Sequence, residues 1–98
     1  MKARSNVSRE AAETLAIQAL AFLAEEPERF AAFLSVSGVT IAGIREAAAE
    51  PGFLAGVLEH MLADENLLIA FADSAGIDPA SIARARSALD GQWDRDLP

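Results

Sequence analysis

The apolar positions between Pro51 and Gly76, PGFLAGVLEHMLADENLLIAFADSAG, set the frame for the rest of the chain. Phe53, Leu54, Val57, Leu58, Met61 and Leu62 recur in pairs four residues apart, which holds them on one stripe of an α-helix. The next pair falls on Glu65 and Asn66, and the apolar set resumes one step late at Leu67, Leu68, Phe71, Ala72 and Ala75. A stripe that slips phase at Ala63 and Asp64 predicts two helices meeting at an angle, with Asp64 as N-cap of the second. The pattern establishes architecture and carries no activity.

The same periodicity and punctuation run through the remainder. Ser8 is placed to cap a helix reaching about Glu25, in which Ala12, Leu15, Ala16, Ala19, Leu20, Phe22 and Leu23 form a wide apolar face and Ile17 widens it. Pro27 opens a second helix with Phe30, Phe33 and Leu34 inward, and Gly38 closes it. Thr40 caps a third, short helix from Ile41 to about Ala49, with Ile41, Ile44 and Ala48 inward. Gly76 ends the second half of the central stretch. Asp78 and Pro79 then begin a last helix whose inner side is Ile82, Ala85, Ala88 and Leu89, with Arg84 and Ser87 outside and with Asp90 and Gly91 as its stop.

No strand-like alternation is present, and the joining segments are short. The expectation is an all-α fold, a compact irregular orthogonal bundle of about six short helices. Residues 1–7 read as a disordered N-terminus, 8–91 as one helical domain and 92–98 as an irregular C-terminal tail. The core assigned from the pattern comprises Leu15, Leu20, Leu23, Phe30, Phe33, Leu34, Ile41, Ile44, Phe53, Leu54, Val57, Leu58, Leu62, Leu67, Leu68, Phe71 and Ile82.

Composition narrows the classes of function. A length of 98 residues suits one core and excludes multi-domain designs. Fifteen Asp and Glu against eight Lys and Arg give a net charge of -7, a balance that repels nucleic-acid phosphates and anionic lipid. There is no cysteine for a disulfide or a thiolate, so the chain fits a reducing compartment as readily as any other. Lys2 and Arg4 precede the apolar run from Leu15 to Ala24 in the order of a signal peptide, but Glu10 and Glu13 intervene and the run ends in Glu25, Glu26 and Pro27. The run therefore reads as a mature helix, and no run reaches the roughly 20 apolar residues of a membrane span.

The segments EPERFAAFL, LSVSGVTIAGIREAA, PGFLAGVLEHMLADENLLIAFADSAGIDP and ARARSAL, in that order, resemble a family of small bacterial, alphaproteobacterial-type helical proteins known only as a domain of unknown function. The likeness covers roughly residues 12 to 90, with SGV and IREAA, PGFL and VLEHML, and DENLLIAFADSAGIDP as its most specific pieces. It implies a compact helical fold in the bacterial cytoplasm. It implies no catalytic motif, cofactor or site residue.

Candidate chemistry is sparse. His60, the one histidine, precedes Asp64 by four residues with Glu59 beside it, the helical spacing of a two-ligand metal site or an oriented base. Such a site lacks a third ligand and a nucleophile, and a surface histidine near a helix C-terminus accounts for the residue. The acidic groups Asp64 with Glu65, and Glu25, Glu26 and Glu28, are accounted for by capping and solvation. The segment Ser37 to Ala49, followed by a proline-started helix, resembles a helix-turn-helix superficially, yet it offers Arg45 alone among acids. Arg84 and Arg86 form the one other basic pair outside the N-terminus, on different sides of their helix.

The surplus of apolar helix face points instead to a partner. Ile17, Phe22 and Ile69 lie at the margins of their stripes, and Met61 is counted with them as apolar surface beyond what a small core needs. Trp93 stands alone in the polar tail and suits an anchor on the chain's own body or on a second copy. The resulting expectation is a non-enzymatic protein–protein interaction module, with a homodimer or another cytoplasmic protein as partner and Ile17, Phe22, Ile69 and Trp93 as candidate interface. No cofactor, metal or catalytic residue is assigned. A nucleic-acid-binding regulator is the alternative, and a small enzyme or metal site around His60 a remoter one.

Overall fold

Each helix begins where the sequence supplies a cap. The computed structural model describes residues 8–96, and the side chains of all of these except Pro51 and residues 90–96. Its helices are α1 (Arg9–Ala24), α2 (Pro27–Ser37), α3 (Ile44–Ala47), α4 (Pro51–Leu62), α5 (Glu65–Ala75) and α6 (Pro79–Asp96), and no strand occurs among the described residues. The Ser8 hydroxyl accepts from the Ala11 N–H at 3.0 Å, Asp64 Oδ1 from Leu67 at 3.2 Å and Asp78 Oδ1 from Ala80 at 3.0 Å. These bonds satisfy donors that a helix start leaves open. At the other ends, Gly38 (φ 75°) and Gly76 (φ 71°) take the left-handed conformation that stops α2 and α5. The Ile77 N–H returns to the Ala72 carbonyl at 2.9 Å, completing the α5 cap.

The phase slip in the central stretch is a corner. Ala63 ends α4 with its N–H on the Glu59 carbonyl, and Asp64 leaves the helix in extended geometry before α5 sets off. Around this pair, α1, α4 and α6 make the most extensive mutual contacts and enclose the core. Ala12, Ala16, Ala19 and Leu23 from α1, Leu54, Val57, Leu58 and Met61 from α4, and Ile82, Ala85 and Leu89 from α6 are buried, joined by Leu67, Phe71 and Ala72 of α5. Together these helices form a small all-α bundle.

Four sequence-based assignments require correction. The centre of the α1 face is its alanine line, with Leu15 and Leu20 partly buried at its edges, because small residues occupy the seam where helices approach closely. Met61 is fully buried and contributes no surplus surface. Ile41 is exposed: residues 41–43 form a turn rather than a helix, in which Thr40 Oγ1 accepts from the Gly43 N–H at 3.1 Å, and α3 is a single turn starting at Ile44. Finally, α6 runs through Asp90 and Gly91 to Asp96. One interior glycine weakens a helix by about 1 kcal/mol without breaking it, so the segment expected as an irregular tail is helical as far as Asp96. The expected disorder of residues 1–7 lies outside the described residues.

Two stability predictions follow from this packing. Leu58 has no exposed surface, so Leu58→Ala should lower unfolding free energy by about 2–5 kcal/mol in urea titration. A loss below about 1 kcal/mol would misplace the core centre. Gly56 is exposed in mid-α4, and a Cβ built on it meets nothing within 4 Å. Gly56→Ala should therefore stabilise the chain by about 0.5–1 kcal/mol, raising the melting temperature by about 2–8 °C; a lowered melting temperature would reveal an internal contact at that position.

Candidate protein interface

Among the described residues, α2 and α3 bury the fewest side chains, and they flank the outer face of α4. Only Phe33 of α2 is buried, and nothing in α3 is. α2 lies mainly against α1, and the Phe33 ring reaches across to α4, edge-on to Phe53 at 5.8 Å and to His60 at 5.2 Å between ring centroids. Aromatic pairs favour such tilted, edge-to-face contacts. A single ring spanning the gap leaves the two helices splayed on either side of it.

The space between them is an open groove of about 460 Å³, with Phe33 and Val36 on one wall, Phe53 and His60 on the other, and Gly52 and Gly56 along α4. The two glycines are one helical turn apart and have no Cβ, so the α4 backbone itself is reachable from outside. A second hollow of about 500 Å³ shares Phe53 with the first and extends toward Val39, Thr40 and Gly43. Among the described residues, the acidic side chains lining them are Glu59 in the first and Glu46 and Glu50 in the second, and no Lys or Arg lines either. Glu59 accepts from Arg86 Nη2 of α6 at 3.3 Å, so the uncompensated charge gathers at the Glu46 and Glu50 end.

The residues singled out from sequence are distributed over the body. Ile17 on α1 and Ile69 on α5 are about half exposed. Phe22 is partly buried; its ring sits 5.4 Å from that of Phe71, and the Arg29 guanidinium lies 4.7 Å above it. The cation over the ring face adds an attraction of its own, so Phe22 already serves the α1–α2–α5 corner. Trp93 belongs to the backbone of α6, and its side chain is outside the described set.

His60 and Asp64 do not form the pair that their spacing suggested. The helix ends between them, and the Asp64 carboxylate is engaged by the Leu67 N–H. Among the described residues no group of three or more His, Cys, Asp or Glu converges as a metal site. Glu25, Glu26 and Glu28 are exposed around the start of α2. The helix-turn-helix reading meets a four-residue α3 with Arg45 on its surface, while Arg86 is engaged by Glu59 and Arg84 Nη2 donates to Ser81 Oγ at 3.5 Å. Among the described residues no helix is long and apolar enough to cross a membrane.

The groove was not read from the sequence, although a signal for it was present. Gly52 and Gly56 stand four residues apart inside an otherwise strongly apolar helix, where neither acts as a cap. Interior glycines need a reason, and close approach by another backbone is one.

No curated protein and no solved structure matches the chain. A family model matches residues 9–92, from the first residue of α1 into α6. The chain belongs to that family, described as Protein of unknown function (DUF3572).

Proposed function

We propose that the chain is a non-enzymatic protein–protein interaction module. The observation that carries this reading is apolar surface left uncovered by the fold: Val36 is 77% and Ile41 68% exposed along the α2–α3 flank, with Ile69 at 51% and Ile17 at 49% elsewhere. Isolated apolar residues are normal on a surface, but Val36 continues into a groove walled by Phe33 and Phe53. A contiguous apolar concavity rimmed by polar groups is the usual form of a partner site. The partner is another protein or a second copy of the chain, for which the exposed Ile17 and Ile69 offer contacts outside the groove and Trp93 remains a candidate anchor from the sequence. Nucleic-acid binding has less support, because the flank that would carry it is acidic; a chain that binds duplex DNA at low salt would restore it.

Light scattering over a concentration series, on the intact chain and on one truncated before Gln92, separates the forms of this proposal. Ile82, Ala85 and Leu89, the buried residues of α6 among those described, are all retained in the truncated chain. A dimer lost on truncation assigns assembly to the Trp93 segment, and a dimer weakened by Ile17→Glu or Ile69→Glu assigns it to those faces. A monomer that also yields no specific partner on cross-linking in its native cells would sink the interaction reading.

A further inference from the structure

We propose that the groove between α2 and α4 docks one helix of a partner protein, whose seated face is small and apolar and whose flanks carry Lys and Arg. This rests on the interaction-module reading and names the site and the chemistry of the partner.

Three properties of the groove specify the occupant. The first is its floor. Along α4 the groove is lined from Gly52 to Ala63, eleven helical steps, with Gly52 and Gly56 leaving the backbone open over the first turns and Phe53, Glu59 and His60 beside and beyond them. At about 1.5 Å per residue this is about 16 Å, the length of three turns of a facing helix. Among the described residues nothing lies within 4 Å of a Cβ built on Gly52 or Gly56, so no packing demand among them accounts for their smallness. A second helix laid along this face approaches the α4 backbone closely, and Val36 and Phe53 close on its sides. An amphipathic helix in an apolar groove is an established mode of peptide recognition.

The second property is charge. Glu46 and Glu50 line the adjoining hollow, which shares Phe53 with the groove, while Glu59 on the groove itself is paired with Arg86; among the described residues no Lys or Arg lines either hollow. An incoming helix with Lys or Arg flanking its apolar ridge is attracted to this rim, and one with acidic flanks is turned away. The third is the charge of the chain itself. A second copy would bring another net -7 toward an acidic rim, which opposes self-association here and favours a basic partner.

The proposal is tested with two labelled helical peptides of about 18 residues, long enough to hold some helix in solution. Both carry the same ridge of Ala and Leu at helical spacing; one has Lys on its flanks and the other Glu. Each is titrated by fluorescence anisotropy with the full chain as wild type, Gly56→Leu and Ile69→Glu, beside sedimentation of each protein alone. The Lys peptide should bind wild type and Ile69→Glu equally, at least about tenfold more tightly than the Glu peptide, and more weakly as salt rises. Gly56→Leu should weaken that binding by about tenfold or more while melting at or above the wild-type temperature, since Leu is the better helix former.

Equal binding of both peptides, binding indifferent to Gly56→Leu, or no binding of either peptide would overturn the proposal. So would a wild-type dimer that Gly56→Leu dissolves, which would seat a second copy in the groove. In that last case the interaction-module reading stands with the chain as its own partner, whereas the module reading itself fails only on the cross-linking test above.

Discussion

The close approach of α1 to α4 and α6 is the constraint from which the rest of the structure follows. Ala12, Ala16 and Ala19 are wholly buried and share one line along α1. A helix whose inner line is alanine lets its neighbours approach toward the short end of the usual 8–10 Å range. The volume is then filled by the large side chains of the other helices, with Leu58 and Met61 from α4 and Ile82 and Leu89 from α6 among the largest buried groups. A tight three-helix centre leaves less room for the others. α5 is held by Leu67, Phe71 and Ala72, α2 by Phe33 with partly buried Phe30 and Leu34, and α3 by no fully buried residue. The body is 42 × 30 × 18 Å, about two helix diameters thick along its short axis. Among the described residues no outer layer covers the α2–α4 flank, so the exposed face there follows from how the core is made.

Most of the fold was legible in the sequence because its signals were local. The caps at Ser8, Asp64 and Asp78 and the stops at Gly38 and Gly76 depend on a few adjacent residues, and each performs the role its type and position suggested. The corner at Asp64 was readable from the slipped stripe. What failed was non-local. Periodicity assigned Ile41 to a buried face because its type is apolar, but the turn at 41–43 carries it outward. It placed the α1 core on its leucines, since size suggests burial, whereas the seam is set by which residues permit close approach. It set Met61 aside, although the corner wraps α5 and α6 around the end of α4.

The candidate site was less legible for the same reason. His60 and Asp64 were paired by helical spacing, but the cap that makes Asp64 readable also ends the helix between them and engages its carboxylate. Phe22 had the appearance of spare surface until Phe71 and Arg29, distant in sequence, were brought against it. The groove depends on a separation between α2 and α4, bridged by the Phe33 ring, and no single segment encodes a separation.

Gly52 and Gly56 set local preference against global form. Within a helix a glycine is the weakest ordinary residue, and where it seats a neighbouring element closely that loss is offset by packing. Among the described residues no neighbour makes use of the space, so none of them compensates the local penalty. A sequence that departs from local preference without a folding reason marks the place where something other than folding shapes the choice. The acidic rim sharpens the argument, because Glu46 and Glu50 lie beside exposed apolar surface without helping to bury it. On the proposed reading, that charge opposes closure by like-charged copies and favours a partner of opposite sign.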